Sequence, residues 1–589
     1  MKIKFKSFVL PIAVTIPFIL LYYYFALPAI NLRAPGFWAM LVISAFVFIA
    51  TYVVSCNKAY IKRLGASLTA SFNEIKNKKN DDNEESYKNA YVYYEEKSEN
   101  NGGKVDKWVK IAVISIVSFI AAMLLVTLFT STKIFRSKSY HELLEVTPSD
   151  FETDIKELSF DQIPAVDKDT AEKFGNRAVG EVRELVSQFN VSDYYSQINY
   201  RGKPYRVTPL EYAGFFKWFA NKDAGIPYYI TVDMTTTNDS NDEKNGTELI
   251  KLADGMKYSP SEYFARDLKR HIRFKYPTKM FENLSFEIDD NGDPYWVMSY
   301  YKYNIGLFGG KDIAGVILVN AVTGEMQDCP INESVPQWID QAYSADLLIA
   351  QADNWGTYKN GYINSLFAQK DVVVTTEGYN YIALNDDVWL YTGITSVVSD
   401  ESNIGFILIN MRTKEARTYM INGAEEYSAM KSAQGQIQEK NYTATFPILM
   451  NVADIPTYFM SLKDNAGLVK AYAFVAVAEY HKVGVGDSIG KAKEEYLKLL
   501  GVNENNNNDA TNPDDIENVS GVIEAIATAV VNGDSVYYIK LQGNDGIYKA
   551  NIKLSDILPL LKAGDDVTFE TDKNGEITKI GYTPATEAP

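Results

Sequence analysis

Cysteine and histidine are scarce in this sequence: its 589 residues include two cysteines and three histidines. Cys56 and Cys329 lie far apart with a long apolar stretch between them, so we expect no disulfide and a domain held together by its core. The histidines, His141, His271 and His481, are equally dispersed, and no CxxC pair accompanies them. Because zinc needs several such ligands at short spacing, we predict no metal site and no cofactor.

Motifs for nucleotide binding and nucleophilic catalysis are also missing. GLFGGKD at Gly306 lacks the GxxxxGK[ST] spacing, GVGDSIG at Gly484 has one residue too many for GxGxxG, and no GxSxG occurs. DDNGD (289–293) lacks the bidentate Glu of a calcium loop and is typical of a hairpin turn. We therefore predict no catalytic residue.

Positive charge is in short supply over most of the chain. The formal net charge is −17, which divides into +6 through residue 131 and −23 over the remainder. An acidic surface of that size repels nucleic acid and anionic lipid at long range. We therefore predict no nucleic-acid partner.

Long apolar runs are what the sequence does have. Three uncharged stretches, at about 7–32, 34–57 and 111–132, exceed the roughly 20 residues that a helix needs to cross a bilayer. The first is too long for the apolar part of a signal peptide, and no A-x-A cleavage site follows it. We predict an integral membrane domain over residues 1–135.

Basic residues near these stretches predict their orientation. They gather before the first span and after the second, at Lys2, Lys4, Lys6, Lys58, Lys62 and Arg63. Only Arg33 lies in the turn between those spans. The positive-inside rule then places the amino terminus and the 57–110 loop in the cytoplasm, and everything after the third span outside it. Lys133, Arg136 and Lys138 argue mildly against this orientation.

The remainder divides by composition. Residues 136–500 alternate amphipathic helices with strands rich in Val, Ile, Tyr and Trp, an Asn/Asp-rich linker occupies 501–515, and 516–582 form a small β domain before a tail at 583–589. DTAE (169–172) and SPSE (259–262) look like the first turns of helices, and a third helix is predicted from Ser488 to Leu500.

One unit occurs twice in the large domain. GVILVNAVTGE (315–325) returns as GFILINMRTKE (405–415), and each copy follows a strand that contains tryptophan, PYWVMSY or DVWLYTG. We predict an α+β domain of repeated helix-plus-β-hairpin units, in which each sheet buries one face under helices.

Several of these stretches resemble known families. GVILVNAVTGE resembles the strand-turn signature of PepSY-type extracytoplasmic domains. RGKPYRVTPLEY at Arg201, NIGLFGGKDIAG at Asn304 and SNIGFILINMRTKEA at Ser402 resemble an uncharacterised family of membrane-anchored bacterial cell-envelope proteins, sometimes labelled cell-shape-determining. That resemblance implies a location and no residue roles. The last domain, five short strands with a helix at 555–562 after the third, resembles an OB-fold barrel.

Two groups of side chains are candidate binding surfaces. Arg266, Lys269, Arg270 and Arg273 share one helix face and would bind a polyanion or an acidic partner, or pair with the protein's own carboxylates. The second group is aromatic and consists of Trp355, Tyr358, Tyr379 and Tyr381. These side chains would stack on sugar rings or anchor a protein interface, or else belong to the core of the domain.

The predicted function is therefore a non-enzymatic one. A membrane-anchored binding, scaffold or sensor protein of the cell envelope fits best, with an envelope protein or cell-wall polymer as partner and an oligomeric state that the sequence leaves open. The alternative is an envelope enzyme that cleaves cell-wall glycan with a carboxylate pair, for which Asp386 and Asp387 beside Trp389 are one place. A transporter is disfavoured because only three spans are present, with no charge at their centres.

Overall fold

The chain forms two compact units, Met1–Leu500 and Gly501–Pro589, in a computed structural model. The structure describes residues 6–56, 107–157, 162–236, 246–331, 335–397, 402–502, 517–531, 534–544, 546–555, 557–571, 575 and 577–583. Most of the predicted cytoplasmic loop and linker, at 57–106 and 503–515, and most of the tail lie outside the described residues.

Three long helices open the first unit. They are α1 (Lys6–Ala26), α2 (Pro35–Cys56) and α3 (Lys107–Ser131), and each is long and apolar enough to cross a membrane. Their side chains are apolar all round, as expected of helices whose surroundings are lipid. The first helix ends earlier than predicted because Leu27 has a φ of 48° and Pro28 follows it. The prediction of three long apolar helices in this part of the chain is confirmed.

Strands and shorter helices make up the rest of the first unit. The strands are β1 Val146–Pro148, β2 Phe189–Val191, β3 Ser196–Tyr200, β4 Lys203–Tyr212, β5 Ile226–Asp233, β6 Thr247–Met256, β7 Met280–Ile288, β8 Pro294–Ile305, β9 Gly309–Asn320, β10 Met326–Pro330, β11 Val373–Thr375, β12 Asn380–Leu384, β13 Asp387–Ser396, β14 Ser402–Asn403, β15 Gly405–Asn410, β16 Ala416–Tyr419, β17 Gly423–Ala424, β18 Thr443–Ala444, β19 Ile448–Val452, β20 Ile455–Lys463, β21 Val469–Ala476 and β22 Val483–Gly486. The helices are α4 Lys133–His141, α5 Phe151–Asp154, α6 Lys168–Gly180, α7 Arg183–Val186, α8 Phe215–Asn221, α9 Leu268–Lys275, α10 Ala345–Thr357, α11 Gly361–Leu366, α12 Glu426–Gln436 and α13 Ile489–Leu500, with 3₁₀ turns at Phe264–Arg266 and Gln438–Lys440.

Four larger sheets, which we call sheets I to IV in chain order, organise these strands. Sheet I has the order β2-β4-β5-β6 with β3 also on β4, and sheet II has β10-β9-β8-β7. Sheet III has β1-β16-β15-β13-β11 with β12 also on β13, and sheet IV has β18-β20-β21-β22 with β19 also on β20. Neighbouring strands are antiparallel except β1 and β16. The prediction of a large α+β domain is confirmed.

Consecutive sheets pack face to face. Tyr229 of sheet I meets Phe286 and Trp296 of sheet II in one core, and Val297 of sheet II meets Leu390 of sheet III in the next. The cores that follow join Phe406 to Tyr458 between sheets III and IV, and Phe474 to Tyr496 between sheet IV and α13. Sheets II, III and IV are therefore buried on both faces, so the predicted burial of a single face is wrong for them. This burial explains the unbroken apolar runs GVILVN and GFILIN, since a strand with two dry faces needs no polar alternation.

The segment 163–167 joins sheet IV back to sheet I. The backbone N–H groups of Ala165 and Val166 donate to the Met234 carbonyl at 2.7 and 3.1 Å, and the Ser461 hydroxyl of β20 donates to the Ala165 carbonyl at 2.7 Å. Each sheet thus contacts the next, and the hydrogen bonds of the 163–167 segment connect sheet IV to the end of β5 in sheet I.

The repeated sequence forms the same turn in both copies. The Asn320 side chain accepts hydrogen bonds from the N–H groups of Val322 and Thr323, at 3.0 and 2.9 Å, and Asn410 does the same for Arg412 and Thr413, at 2.8 and 2.9 Å. The next-to-last position is left-handed in each copy, with φ of 76° at Gly324 and 66° at Lys414. The two stretches are equivalent structural units.

The preceding tryptophans are not equivalent, although the sequence aligns them. Tyr295 is paired with Asn320, whereas Trp389 is paired with Asn410, so the second tryptophan sits one residue closer to its turn. A shift of one residue moves a side chain to the other face of a sheet. Trp296 accordingly packs between sheets I and II, and Trp389 between sheets III and IV.

Two predicted helix starts need correction. The helix at DTAE begins at Lys168, one residue before the predicted first turn, with Asp167 as its cap, and it ends at Gly180. SPSE does not open a helix: Glu262 is buried, and α9 begins at Leu268, where the Asp267 carboxylate accepts from the Arg270 N–H. The third predicted helix corresponds to α13.

The second unit is one five-stranded sheet. Its strands are β23 Glu517–Val531, β24 Asp534–Leu541, β25 Ile547–Asn551, β26 Asp566–Thr571 and β27 Ile577–Thr583, in the order β25-β24-β23-β26-β27. The predicted helix at 555–562 is instead a 3₁₀ turn at Leu558–Leu560, with Pro559 inside it.

Candidate functional site

The basic helix α9 is amphipathic, and its inner face explains its position. Leu268 and Ile272 are fully buried in the core shared by sheets I and II. The helix ends at Lys275, before Pro277. Its arginines therefore project from the opposite side, toward the end of α1.

Arg273 is buried against the first membrane helix. Its guanidinium donates to the carbonyls of Leu27 at 3.0 Å and Lys279 at 2.5 Å, and it lies 3.9 Å from the centre of the Phe281 ring. Burial lowers the pKa of Arg273 to about 10, so the side chain stays charged at neutral pH.

Arg270 contacts the same helix end. It donates to the Tyr24 carbonyl at 3.3 Å and to the Phe264 carbonyl at 2.6 Å, and it covers the Tyr24 ring at 4.3 Å. The last carbonyls of a helix have no partner within it and carry partial negative charge. Arg270 and Arg273 therefore satisfy the carboxyl end of α1 and the turn that follows it.

Arg266 and Lys269, the other two residues of the predicted basic face, have different surroundings from Arg270 and Arg273. Arg266 donates to the Lys222 carbonyl at 2.5 Å, while Lys269 is exposed. Three of the four basic side chains thus bind backbone carbonyls of this chain, and Arg270 also lies 3.8 Å from the Asp267 carboxylate. Binding of a separate partner by this face stays a prediction.

The turn between the first two spans lies against sheet II. The Ile30 N–H donates to the Pro277 carbonyl at 2.7 Å, and the Asn31 side-chain amide donates to the Thr278 carbonyl at 3.0 Å. The Arg33 guanidinium donates to the Tyr303 carbonyl at 2.8 Å. Ala29 and Ala34 pack on Met280 of β7. The turn is therefore fixed to the sheet by both polar and apolar contacts.

The end of the third span meets the loop between β8 and β9. The Ser131 hydroxyl accepts from the N–H groups of Leu307 and Phe308, at 2.9 and 3.3 Å. A Cβ at Gly309 would lie 2.5 Å from the Ser131 carbonyl, so this glycine is needed for the close approach. GLFGGKD is thus a contact loop for α3. We call this contact, together with those of Arg270, Arg273 and the 27–34 turn, the membrane clamp.

The four candidate aromatic residues separate into two pairs. Trp355 lies over His141 of α4, and Tyr358 lies beneath Lys133 and stacks on Tyr362. Tyr379 and Tyr381 contact each other edge to face at 5.7 Å. Only Tyr379 is exposed, so three of the four belong at least partly to the packing of the domain.

Sequence reasoning missed a set of buried polar residues between the sheets, which we call the central polar cluster: Gln197, Asn199, Arg206, Glu287 and Asp340. All but Asn199 are at least nine-tenths buried. The cluster joins β3 and β4 of sheet I to β7 of sheet II and to the segment before α10.

A carboxyl pair lies in this cluster. Glu287 accepts from the Asp340 N–H at 2.8 Å and from the Ser285 hydroxyl at 2.7 Å, and Asp340 accepts from the Asn199 N–H at 2.7 Å. Burial raises the pKa of Glu287 to about 7. Burial, followed by the nearby Glu287 charge, raises the pKa of Asp340 well above its usual value. The pair of carboxyl groups on Glu287 and Asp340 therefore retains a proton near neutral pH.

Several polar atoms of the cluster lack a partner among the described residues. They are Asp340 Oδ1, Gln197 Nε2, Asn199 Oδ1 and Arg206 Nε. A pocket beside Arg206, also lined by Asp167, Asn380 and Ser461, has a volume of about 20 Å³. That volume admits about one or two water molecules and is too small for a sugar ring.

Asp386 and Asp387, the predicted place for a carboxylate pair, contact different residues. Asp387 accepts two hydrogen bonds from Arg412, at 2.7 and 2.8 Å, and one from Asn410 at 2.8 Å. Asp386 is exposed and accepts from Gln337 at 3.1 Å. Within the described ranges, no three His, Cys, Asp or Glu side chains gather as metal ligands would.

Comparisons with known proteins give no family. No family model and no curated protein matches the chain. Among solved structures, a mutant of B. megaterium levansucrase is 9% identical, with 76% of this chain and 97% of that chain covered, at a TM-score of 0.17. An exo-1,5-α-L-arabinanase from a bovine ruminal metagenomic library is 11% identical, with 68% and 99% covered, at a TM-score of 0.15. Such TM-scores do not establish a shared fold, so neither structure bears on what this chain does.

Proposed function

We propose that this chain is a non-enzymatic, multi-pass protein of the cell membrane that holds a large acidic domain at the extracytoplasmic surface as a scaffold, binding or sensor platform. The membrane clamp carries the proposal. The end of α1, the following turn and the end of α3 all contact sheet II or α9 beside it. These are the segments that three alternating spans place at one side of a bilayer.

The direction of insertion is part of the same proposal. The excess of Lys and Arg at the opposite ends of the first two spans favours a cytoplasmic amino terminus. The clamped domain then faces the envelope, where its strong negative charge favours cationic partners. An envelope protein or a cell-wall polymer remains the proposed partner.

Two finer features of the fold belong to the proposal. The shared Asn-x-x-Thr turn and the sheets that follow helices support PepSY-like repeats in a membrane-anchored envelope protein.

In the second unit, β23 pairs with β26 through its first half and with β24 through its second, and the Lys549 N–H donates to the Gly575 carbonyl at 2.9 Å. The pairing of β23 and the hydrogen bond between Lys549 and Gly575 support closure of this sheet into an OB-like barrel.

Protease treatment of intact cells tests the orientation. With tags at both chain ends, added protease should remove the carboxyl-terminal tag and domain and leave the amino-terminal tag intact. If the domain is degraded only after the cells are opened, the proposed orientation is refuted.

Affinity capture of the full chain tests partner binding. Lys269→Glu changes the exposed member of the basic face, and Lys431→Glu on α12 is a control of equal charge change. A partner bound at this face should be lost from the first variant and kept by the second. Equal recovery from both variants refutes binding at the basic face.

A further inference from the structure

Two groups of large apolar side chains project from the domain into the surroundings. The first, the aromatic pad, comprises Phe215, Phe216, Phe219, Phe264 and Phe274, with Phe216 83% exposed. The second, the α11 pad, comprises Ile363, Leu366 and Phe367, with Phe367 81% exposed. Soluble domains rarely leave contiguous patches of this kind uncovered, so each needs an occupant.

The aromatic pad is held in place from within. Trp218 of α8 turns inward, where its indole N–H donates to the buried Glu262 carboxylate at 2.6 Å, and Tyr212 donates to the other oxygen at 2.9 Å. Phe216 and Phe219 are left on the outer side of the same short helix. Their exposure is therefore built into the fold, because the anchored tryptophan fixes the helix rotation.

The aromatic pad continues directly from the first membrane helix. Phe274 stacks on Tyr23 at 6.2 Å and lies 6.3 Å from Tyr24, both in the last turn of α1. Arg270 bonds the carbonyls of both Tyr24 and Phe264. The pad thus begins at the level where α1 ends.

The second pad has the same relation to the third span. Helix α11 contacts α4, the helix that follows α3 after one residue. Phe135 of α4 lies 5.2 Å from Phe129 of α3 and is itself more than half exposed. Both pads therefore adjoin span ends that lie at the same side of the membrane.

We propose that both pads lie in the boundary between headgroups and acyl chains of the leaflet that α1 and α3 enter, so that the domain rests on lipid as well as on its own spans. Aromatic side chains collect at this depth. Lys217 lies on the same helix as Phe216 and Phe219, and Lys222 lies 4.9 Å from the centre of the Phe219 ring. These two lysines supply local positive charge toward lipid phosphates, although the domain as a whole is acidic. The inference rests on the proposed function, because it requires the three helices to span a bilayer.

Depth-dependent fluorescence quenching tests the proposal. The full chain, with Cys56→Ser, is reconstituted into phosphatidylcholine and phosphatidylglycerol vesicles and carries an environment-sensitive dye at Phe216→Cys or Phe367→Cys. Cys329 is buried and burial raises its thiol pKa, so it is slow to react. A dye at Tyr480→Cys, on the turn after β21, is the exposed control, and a dye at Leu20→Cys reports the span itself.

Lipids with spin labels near the headgroup should quench both pad positions several-fold more than Tyr480→Cys. Quenching at the level of the Tyr480→Cys control, at either pad, overturns the proposal. A blue-shifted dye that spin-labelled lipids do not quench also overturns it, because the pad is then covered by protein. If lipids with spin labels deep in the acyl chains fail to quench the dye at Leu20→Cys, membrane insertion itself is refuted and with it the proposed function. The two failures are therefore distinguishable.

Discussion

The buried carboxyl of Glu287 should make the stability of the domain depend on pH in a definite direction. Its side chain is fully buried, and its pKa rises from 4.5 to about 7. Between these values the folded chain keeps a proton that the unfolded chain releases, so stability falls as pH rises through this window. The loss is complete above about pH 7 and amounts to about 3 kcal/mol.

Glu287→Gln should remove this loss. The amide resembles the protonated carboxyl: its oxygen can accept from the Asp340 N–H, while its NH₂ group can donate to the Ser285 hydroxyl. The variant should exceed the parent by up to about 3 kcal/mol at pH 8 and by less than about 1 kcal/mol at pH 5. Removal of the Glu287 charge should also lower the pKa of Asp340, since that charge is among the causes that raise it.

Thermal unfolding of the reconstituted full chain at pH 5, 6.5 and 8 measures the effect. The melting temperature of Glu287→Gln should rise above that of the parent by roughly 3 to 6 °C at pH 8, and the difference should shrink to about 1 °C at pH 5. Glu248→Gln, an exposed change on β6, is the control and should show no trend with pH. A Glu287→Gln difference that is constant with pH, or a less stable variant at pH 8, would refute the reasoning.

Three further substitutions test the contacts around the sheets. Arg273→Ala removes the bonds to the Leu27 and Lys279 carbonyls and should cost about 3 kcal/mol in urea unfolding, against little change for Lys269→Ala. Gly309→Ala places a Cβ against Ser131 and should lower the melting temperature, whereas Gly490→Ala, in a helix with open space, should raise it slightly. Asp387→Asn weakens the bidentate pair with Arg412 and should cost about 2 kcal/mol; an unchanged urea midpoint would contradict its structural role.

Local chemistry was enough to predict some of this architecture. The three spans follow from uninterrupted apolar length, and the equivalent turns follow from Asn320 and Asn410, whose side chains bond the backbone two and three residues ahead. Both depend on neighbours in sequence. Such features need no knowledge of what packs against them.

The central polar cluster and the membrane clamp depend on contacts distant in sequence. Glu287 lies between Phe286 and Ile288, so a strand with one buried face would expose it. Sheet II has a second buried face, which puts this carboxyl inside. Arg270 and Arg273 likewise look solvated until the end of α1, 246 residues earlier, is placed against them.

The arrangement of sheet II favours the scaffold form of the proposed function over the sensor form. Strand β7 carries Met280, which packs on the span turn, and Glu287, which bonds to the segment before α10. Sheets I and III cover the two faces of this sheet, and its β8–β9 loop holds Ser131. A sensor needs an element with two packings of similar free energy. A sheet fixed on both faces and against the ends of α1 and α3 allows few alternative packings, so it favours a rigid platform over a switch as the proposed function.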